Sequence, residues 1–140
     1  MISQSKITVR YAETDKMAIV HHSNYPVWFE IARTDFIKSI GVPYSVLEQR
    51  GIMLPLIDLT CRYIKPAYYE DELIISAQVK LLTYAKIEFY YTVMRSGELL
   101  SEGTTKHGFV DSKSFRPLNV KKFDPELFEK LKESIEKIEA

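Results

Sequence analysis

The segment Tyr11–Tyr25 reads YAETDKMAIVHHSNY and decides how the rest of the chain is interpreted. In it, the acid Asp15 is followed by a few hydrophobic residues, a histidine pair and an apparent helix start. A helix N-terminus leaves several backbone amides without internal partners and carries partial positive charge. Such an end can bind an anion or stabilise a developing oxyanion. One carboxylate beside one oxyanion site is a minimal arrangement for acyl transfer.

The residues just before this segment predict a short strand. Ile7, Val9 and Tyr11 alternate with polar residues, which is the pattern of a strand with one buried face. The stretch from Glu13 to His22 shows no clear period. We therefore interpret it as a loop that carries function.

An unusually apolar helix is predicted directly after the loop. Ser23 or Asn24 can cap it, and Pro26 is tolerated in the first turn, where its missing amide costs nothing. Gly41 is a plausible C-terminal stop. The residues of its apolar face are Phe29, Ala32, Phe36 and Ile40, widened by Trp28 and Ile31. We expect a sheet to wrap around this helix.

The rest of the chain is predicted to be mostly antiparallel strands. A short helix at Pro43–Arg50 comes first. Apolar and polar residues then alternate over 57–63, 73–81 and 87–93, and Ser96–Gly97 is a hairpin signal. In a last strand, about Leu99 to Val110, Gly103 and Gly108 suggest bulges or close backbone approach. Long sequential strands with short connections predict an antiparallel sheet, so the fold class is α+β with the helix packed on the sheet.

A final helix is predicted to begin with Asp124 as the cap and Pro125 at the first position. Two acid–base pairs four residues apart, Glu126–Lys130 and Glu133–Lys137, favour it. Its apolar stripe is formed by Leu127, Leu131, Ile135 and Ile138.

Size and composition limit the class of protein. The 140 residues predict one domain, residues 1–140, with a sizeable core. The formal net charge is zero, so nothing in the charge balance favours nucleic acid. No run approaches the ~20 apolar residues of a membrane span, and the first residues lack the apolar segment of a signal peptide. The single cysteine, Cys61, cannot form an intramolecular disulfide, which fits a cytoplasmic protein.

The order of these elements and several motifs resemble the hotdog-fold 4-hydroxybenzoyl-CoA thioesterase-like family. The closest likeness is to its branch of Tol–Pal-associated acyl-CoA thioesterases. The similarity runs from about Lys6 to Leu118. The motifs that carry it are Tyr11, Glu13-Thr14-Asp15, His22-Ser23-Asn24-Tyr25, Phe29-Glu30-x-Ala32-Arg33-Thr34 and Tyr63-Ile64-Lys65-Pro66-Ala67.

The resemblance implies an acyl-CoA thioesterase, which hydrolyses a thioester to a free acid and coenzyme A. Asp15 would be the catalytic carboxylate, acting as nucleophile or as general base on water. The backbone amide of His22 would polarise the thioester carbonyl. The resemblance also implies a homodimer joined edge to edge, with sites at the interface; a homotetramer is a second possibility. A thioester is already activated, so no metal or redox cofactor is expected.

Four further residues are candidates for contact with the substrate. Tyr25 would line the pocket, and Met17 adds bulk near the acyl group at a place where relatives often carry glycine. Lys65 and Arg116 would meet the phosphates of coenzyme A at the pocket mouth. An acyl carrier protein is an alternative carrier of the substrate. Glu30 is an alternative catalytic acid, although a structural pairing with Arg33 or with a loop is the simpler interpretation.

Two other functions stay open at this point. One is a hotdog hydratase or dehydratase, whose usual Asp-x-Asn-Pro-x-x-His motif does not occur here. The other is a module that binds acyl-CoA or acyl carrier protein without turnover. A metal site at His21 and His22 is disfavoured because adjacent side chains are expected to point apart and no third ligand is suitably spaced.

Overall fold

The computed structural model describes residues 1–139, with side chains described for residues 1–135. A single turn of 3-10 helix at Tyr11–Glu13 lies between the first strand and the first α-helix. The elements in chain order are β1 (Ser3–Thr8), α1 (Asn24–Ser39), α2 (Tyr44–Gln49), β2 (Ile52–Met53), β3 (Leu56–Tyr63), β4 (Glu72–Leu82), β5 (Lys86–Arg95), β6 (Glu98–Gly108), β7 (Val110–Asp111), α3 (Val120–Phe123) and α4 (Pro125–Glu139).

Five of these strands form one antiparallel sheet in the order β1-β4-β5-β6-β3. The short strands β2 and β7 pair separately. Helix α1 packs on the face of the sheet that carries the buried strand residues, and this confirms the α+β prediction of a sheet around a long helix. In this sheet β1 and β3 are the edge strands, and β3 is the more exposed.

Helix α1 ends as predicted but begins differently. At its C-terminus, Gly41 takes a φ of 91° and donates to the Lys38 carbonyl, while Val42 donates to the Ile37 carbonyl. This pair of hydrogen bonds is a Schellman motif, which satisfies carbonyls that the helix leaves unpaired. At its N-terminus, Ser23 precedes the first helical residue, but its side chain does not cap the helix. The prediction that Ile31 widens the apolar face is wrong, since 40% of this residue is exposed.

The core lies between α1 and the sheet. Phe29 stacks on Tyr91 with ring centroids 4.5 Å apart, and Phe36 meets Phe89 edge to face at 5.7 Å. Directly beneath Phe29, a Cβ added to Gly103 would lie 2.3 Å from the Thr60 carbonyl oxygen and 2.7 Å from the Phe29 ring. The predicted close approach at Gly103 is therefore confirmed, because no side chain fits between the helix and the sheet there.

Two strand predictions need correction. The first strand ends at Thr8, and Tyr11 lies in the 3-10 turn with 74% of its surface exposed. Leu81 is 48% exposed because a register shift between Val79 and Leu81 turns it away from the core. The sequence predicted bulges or close backbone approach at Gly103 and Gly108, and beside Gly108 the pairing of β6 with β3 shifts its register opposite the Leu56–Asp58 step. At Ser96–Gly97 both residues take positive φ, which confirms the hairpin turn.

The C-terminal helix packs its apolar stripe as predicted. Asp124 accepts a hydrogen bond from the Leu127 amide at 3.1 Å, so it caps α4. Leu127 and Leu131 are buried, and Glu126 pairs with Lys130 at 3.1 Å. The predicted stripe residue Ile138 and Lys137, the partner predicted for Glu133, lie outside the part of the chain whose side chains are described. No helix among the described residues has the length and apolar character to cross a membrane.

Candidate active site

A cavity of about 360 Å³ opens where the Asp15 loop, the start of α1 and the end of β3 meet. We call it the first cavity. Its lining residues are Asp15, Met17, Ile19, Val20, His22, Tyr25, Tyr63, Ile64, Lys65 and Pro66. The structure thus brings together five of the predicted site residues. The sixth, Arg116, is exposed in the loop after β7 and does not line this cavity; its role stays a prediction.

The loop that carries Asp15 is closed by backbone pairing. Thr14 and Val20 form an antiparallel bridge, in which the Asp15 amide donates to the Ile19 carbonyl at 2.9 Å. Within the loop, Asp15 Oδ1 accepts a hydrogen bond from the Met17 amide at 2.8 Å. Asp15 Oδ2 has no hydrogen-bond partner among the described residues. One carboxylate oxygen therefore shapes the turn, and the other remains available to a substrate or a water molecule.

Ala18 is the strained residue of this loop. It takes a φ of 63°, in the left-handed region where a Cβ is unfavourable. The alanine therefore places a strain of about 1 kcal/mol in the loop.

Glu13 holds the loop to α1 and was missed as a structural determinant by sequence reasoning. It is 4% exposed, although a glutamate in an aperiodic loop is expected at the surface. Its two carboxylate oxygens accept hydrogen bonds from the Arg10 amide at 2.8 Å and from Trp28 Nε1 at 2.9 Å. Its carbonyl oxygen accepts from the His21 amide and from Asn24 Nδ2. Through these hydrogen bonds, the buried Glu13 anchors the loop to α1 and so fixes the positions of Asp15 and His22 indirectly.

Replacing Glu13 with Gln is expected to destabilise the fold by about 1–3 kcal/mol. The new amide nitrogen cannot accept a hydrogen bond, so either Arg10 N or Trp28 Nε1 loses its acceptor. The midpoint of urea unfolding measures the effect. The matched control is Glu72→Gln, the same change at an exposed position of β4. Equal midpoints for both variants would contradict the structural role of Glu13.

The backbone amide of His22 is free to bind an oxyanion. Its neighbours are all engaged: the His21 amide donates to the Glu13 carbonyl, and the Ser23 amide donates to His21 Nδ1. Within residues 1–139, the His22 amide itself has no acceptor. It lies in the turn that leads into α1, two residues before the helix begins at Asn24. His22 lines the same cavity as Asp15, and the role of its amide as an oxyanion site stays a prediction.

Two tyrosines form the wall of the first cavity opposite the loop. The Tyr25 and Tyr63 rings meet edge to face with centroids 4.9 Å apart. The Tyr63 hydroxyl donates to the His22 carbonyl at 3.2 Å, which holds the turn that presents the His22 amide. Burial, followed by the charge of Cys61, raises the pKa of Tyr25 to about 12, and the pKa of Tyr63 is also raised by burial and by Cys61. Both phenols therefore stay neutral near pH 7 and supply apolar surface.

Lys65 lines the first cavity, but its charge is already paired. Its Nζ lies 3.0 Å from Glu98, which also binds Arg95 at 2.7 Å, and Arg95 in turn binds Asp71 at 2.7 Å. The hydrogen bonds from Lys65 and Arg95 hold the pKa of Glu98 below its usual value. A phosphate at the cavity mouth must therefore compete with a carboxylate for Lys65.

The histidine pair differs from its sequence-based description. The rings of His21 and His22 do not point apart: their centroids are 4.1 Å apart and their planes are tilted by 32°. His21 Nδ1 is 2.8 Å from Ser23 Oγ. Among the described residues, no three His, Cys, Asp or Glu side chains form a group that could hold a metal ion. The expectation of a metal-free site stays a prediction.

A second cavity of about 190 Å³ lies on the same seam between α1 and β3. Its lining residues are Pro26, Val27, Glu30, Arg33, Leu56, Leu59 and Thr105. The predicted pairing of Glu30 with Arg33 is wrong, since no carboxylate of the described side chains lies within ion-pair distance of Arg33. Glu30 lies in this cavity, away from the lining of the first.

A directed chain of hydrogen bonds runs beneath the second cavity. His107 Nδ1 lies 3.0 Å from the Leu54 carbonyl, which can only accept, so Nδ1 carries the proton and Nε2 accepts from Thr105 at 2.9 Å. Thr105 therefore accepts from the Tyr91 hydroxyl at 2.5 Å, and Tyr91 accepts from Arg33 at 3.1 Å. When His107 is neutral, each hydrogen bond in this chain therefore has a defined donor and a defined acceptor, from Arg33 at one end to the Leu54 carbonyl at the other.

This chain makes folding sensitive to acid. Burial, followed by the charge of Arg33, lowers the pKa of His107 from its ordinary value to about 4. Because the unfolded state then binds more protons than the folded state, the stabilisation is complete above about pH 6.5 and is lost as the pH falls to about 4. We expect this one group to lower the free energy of unfolding by on the order of 3 kcal/mol across that range.

Urea unfolding between pH 7 and pH 4 checks this dependence. His107→Asn, which retains a donor for the Leu54 carbonyl, should be less stable at pH 7 but show a shallower loss in acid. If the free energies of unfolding of the wild type and of His107→Asn fall equally between pH 7 and pH 4, other groups cause the acid sensitivity.

The fold and the first cavity together define a class. An antiparallel sheet wrapped around a long helix is the hotdog fold. The sequence pattern of the Thioesterase-like superfamily matches residues 9–131, and the chain belongs to this superfamily.

Similar proteins support the same assignment. The provisionally named acyl-CoA thioesterase YneP of Bacillus subtilis (strain 168) is 37% identical over 126 residues, which cover 89% of this chain and 91% of that protein. The acyl-CoA thioesterase YbgC of Haemophilus influenzae is 28% identical over 113 residues, covering 80% and 83%. The crystal structure of the DHNA-CoA thioesterase from Staphylococcus aureus superposes with a TM-score of 0.92 at 30% identity, covering 99% of this chain and 93% of that one. The chain is thus a thioester hydrolase of the hotdog fold.

Proposed function

We propose that this protein hydrolyses acyl-CoA to a free carboxylic acid and coenzyme A, with Asp15 as the catalytic carboxylate and the His22 amide as the oxyanion donor. The observation that carries the proposal is that Asp15 and the unpaired His22 amide line one cavity. The chemistry needs little more, because a thioester requires one base or nucleophile and one oxyanion site.

Two routes fit this site. In the first, Asp15 takes a proton from water while the oxygen attacks the carbonyl carbon, and the oxyanion forms at the His22 amide. The carbon–sulfur bond then breaks and the thiolate of coenzyme A leaves. In the second, the Asp15 carboxylate attacks the carbonyl carbon, the thiolate leaves, and water hydrolyses the resulting anhydride. The free Oδ2 atom suits either role.

The walls of the cavity suggest where the substrate lies. Tyr25 and Tyr63 offer apolar surface for the acyl group, and Met17, which is 72% exposed, lies at the mouth. Lys65 would release its ion-pair partner Glu98 and bind a phosphate of coenzyme A instead. Arg116 would reach the nucleotide from its exposed loop. These contacts do not select between coenzyme A and acyl carrier protein as the carrier. They also do not select an acyl length.

We further propose that residues 1–140 act as one hotdog domain and assemble through β3. This edge strand exposes Leu56, Ile57 and Tyr63 by 50–54%, and an apolar edge with unpaired backbone groups favours pairing with a second copy. The assembly would be a homodimer, or a homotetramer made of two such dimers. Static light scattering during size-exclusion chromatography measures its mass. A monomer at micromolar concentration would contradict assembly through this edge.

Three finer points belong to the same proposal. We propose that the chain belongs to the Tol–Pal-associated branch of the 4-hydroxybenzoyl-CoA thioesterase-like family, which the motifs from Glu13 to Thr34 and the similarity to YbgC support. The one cysteine suits the cytoplasm. The reaction uses no metal or redox cofactor, because neither route above needs one.

The experiment that tests the function is thiol release from short, long and aromatic acyl-CoA substrates. Turnover on any of them supports the proposal, and the preferred substrate indicates the acyl class. Saturable binding of acyl-CoA without thiol release would instead show a binding module. Conversion of an enoyl or hydroxyacyl thioester with the thioester intact would show a hydratase or dehydratase.

A further inference from the structure

The segment 112–123, between β7 and α4, contains basic residues and no acid, although the whole chain has 19 of each. Its basic residues are Lys113, Arg116, Lys121 and Lys122. All four are exposed. Lys121 lies over the Tyr84 ring at 5.2 Å, whereas the other three side chains form no ion pair or hydrogen bond with the described residues. Their charges are therefore available to an anionic partner.

The two acids that border this segment are engaged elsewhere. Asp124 lies 3.1 Å from Arg50. Asp111 accepts hydrogen bonds from the amides of Lys113 and Ser114, and these bonds hold the pKa of its carboxyl below its usual value. Neither acid forms an ion pair with a basic side chain of the segment. The positive charge is thus concentrated locally in a chain that is neutral as a whole.

The turn that follows β7 presents Phe115 outward. The Phe115 amide donates to the Asp111 carbonyl at 2.8 Å, and the Asp111 amide donates to the Arg116 carbonyl at 2.9 Å. Val110 and Pro117 close the turn with an antiparallel bridge. Phe115 takes a φ of 59°, which a bulky residue rarely adopts, and is 72% exposed. The fold therefore holds an apolar ring in water at the cost of local strain.

A second aromatic ring lies near the base of this turn. A Cβ built on Gly51 would lie 3.7 Å from both the Phe123 ring and the Ser112 side chain, and the Ser112 amide donates to the Gly51 carbonyl at 2.9 Å. Phe123 is 46% exposed. Gly51 thus brings the two ends of the segment together. We call this part of the protein the basic surface, and its residues are Lys113, Phe115, Arg116, Lys122 and Phe123.

The shape and charge of the basic surface fit an anionic bilayer. Phe115 projects from a turn, and no residue of the segment lines the first or the second cavity. The surface therefore offers a protruding ring, with no cavity beside it that would seat part of a small ligand or a partner protein. Exposed rings flanked by cations bind membranes because the cations attract anionic headgroups while the rings bury apolar surface among them.

We propose that the basic surface docks the protein on an anionic lipid membrane, with Phe115 inserted among the headgroups and with Lys113 and Lys122 beside lipid phosphates. The protein would lie on the membrane without spanning it. Docking of this kind is reversible and is weakened by salt. It is separate from the proposed thioesterase chemistry, because none of these three residues lines the first cavity.

Co-sedimentation with lipid vesicles tests the proposal. We expect the protein to bind vesicles made of equal parts of phosphatidylcholine and phosphatidylglycerol. Binding to vesicles of phosphatidylcholine alone should be at least about tenfold weaker, because the attraction of the cations is lost. Raising sodium chloride from about 0.1 M to about 1 M shortens the Debye length about threefold and should release the protein from the anionic vesicles.

Two substitutions test the named residues, with Arg116 left unchanged because it is a candidate for contact with coenzyme A. Phe115→Asn should weaken vesicle binding about tenfold by removing the ring, and asparagine tolerates a positive φ, so the turn is kept. Lys113→Gln should weaken binding to anionic vesicles about fivefold. The matched controls, Ile2→Asn and Lys132→Gln, remove an exposed apolar side chain and an exposed cation elsewhere and should leave binding unchanged.

The outcomes separate this proposal from the proposed function. An active enzyme that binds neither kind of vesicle, or binds both equally, would overturn membrane docking and leave the thioesterase function intact. Wild-type binding by both folded variants would do the same. No thiol release by a protein that still binds anionic vesicles would overturn the proposed function alone. Should Phe115→Asn not fold, the comparison of Lys113→Gln with Lys132→Gln decides.

Two further results would show a different occupant of the basic surface. If Phe115→Asn raises the KM for acyl-CoA in the absence of vesicles, the ring contacts the substrate, and membrane docking is overturned. If Phe115→Asn and Lys113→Gln weaken binding to an acyl carrier protein while the wild type ignores vesicles, the partner is an acidic protein, and membrane docking is again overturned.

Discussion

Asp15→Asn is expected to reduce kcat/KM for acyl-CoA hydrolysis by about 10²–10⁴-fold, the contribution typical of a positioned base or nucleophile. Asparagine has nearly the same shape as aspartate but can neither accept the proton nor attack the carbonyl carbon as an anion. Its side-chain oxygen can still accept the hydrogen bond from the Met17 amide, so the loop keeps its turn. The loss should therefore fall on turnover, while the urea midpoint stays close to that of the wild type.

A second acid in a similar turn provides the matched control. Asp111 Oδ1 accepts hydrogen bonds from the amides of Lys113 at 2.8 Å and Ser114 at 3.2 Å, and Asp111 does not line the first cavity. Asp111→Asn removes the same charge from the same kind of turn and should leave kcat/KM unchanged. If folded Asp15→Asn keeps more than about a tenth of the wild-type activity, catalysis lies with another group, and Glu30 is the next to test.

Gly103→Ala is expected to destabilise the protein by about 3 kcal/mol, at the upper end of the usual cost of overpacking. The added methyl would lie 2.3 Å from the Thr60 carbonyl oxygen and 2.7 Å from the Phe29 ring. Relief requires α1 to move away from the sheet or β3 to separate from β6. Both changes would also disturb the first cavity, because α1 and β3 form two of its walls.

Gly108→Ala is the matched control on the same strand. A Cβ at this position would meet its nearest neighbours, Ile57 and Val110, at 3.6 and 3.9 Å, which are ordinary contact distances. Its expected effect on the urea midpoint is within about 1 kcal/mol. The prediction for Gly103 is wrong if the two alanine variants unfold at the same urea concentration.

The correct sequence predictions depend on neighbours close in the chain. The end of α1 follows from Gly41, whose positive φ completes a motif spanning six residues. The hairpin follows from Ser96–Gly97, since two adjacent residues must both take positive φ. The cap at Asp124 follows from a bond to an amide three residues later. Each of these signals is complete within six consecutive residues.

The errors arose where distant segments decide the environment. Ile31 was expected to be buried because it borders the apolar stripe, yet the sheet does not extend over it. Glu30 was expected to pair with Arg33 or with a loop, but Arg33 turns to Tyr91, 58 residues away. Lys65, a candidate for phosphate contact, lies beside Glu98 of β6, and its contact with phosphate stays a prediction. None of these partners can be identified from local spacing.

By itself, the sequence determined the α+β layout of a long helix on an antiparallel sheet, because periodicity, turn residues and helix caps are local properties. The resemblance to a known family added the hotdog fold and the candidates Asp15 and the His22 amide, through motifs that lie in one short segment. The tertiary structure decided which of these groups are free. Glu13 is engaged by Trp28, and the His22 amide has no acceptor, because the fold of the loop onto α1 distributes the hydrogen bonds. It also created the second cavity, where long-range packing brings α1, β3 and β6 together, and it oriented Arg33 toward Tyr91 of β5.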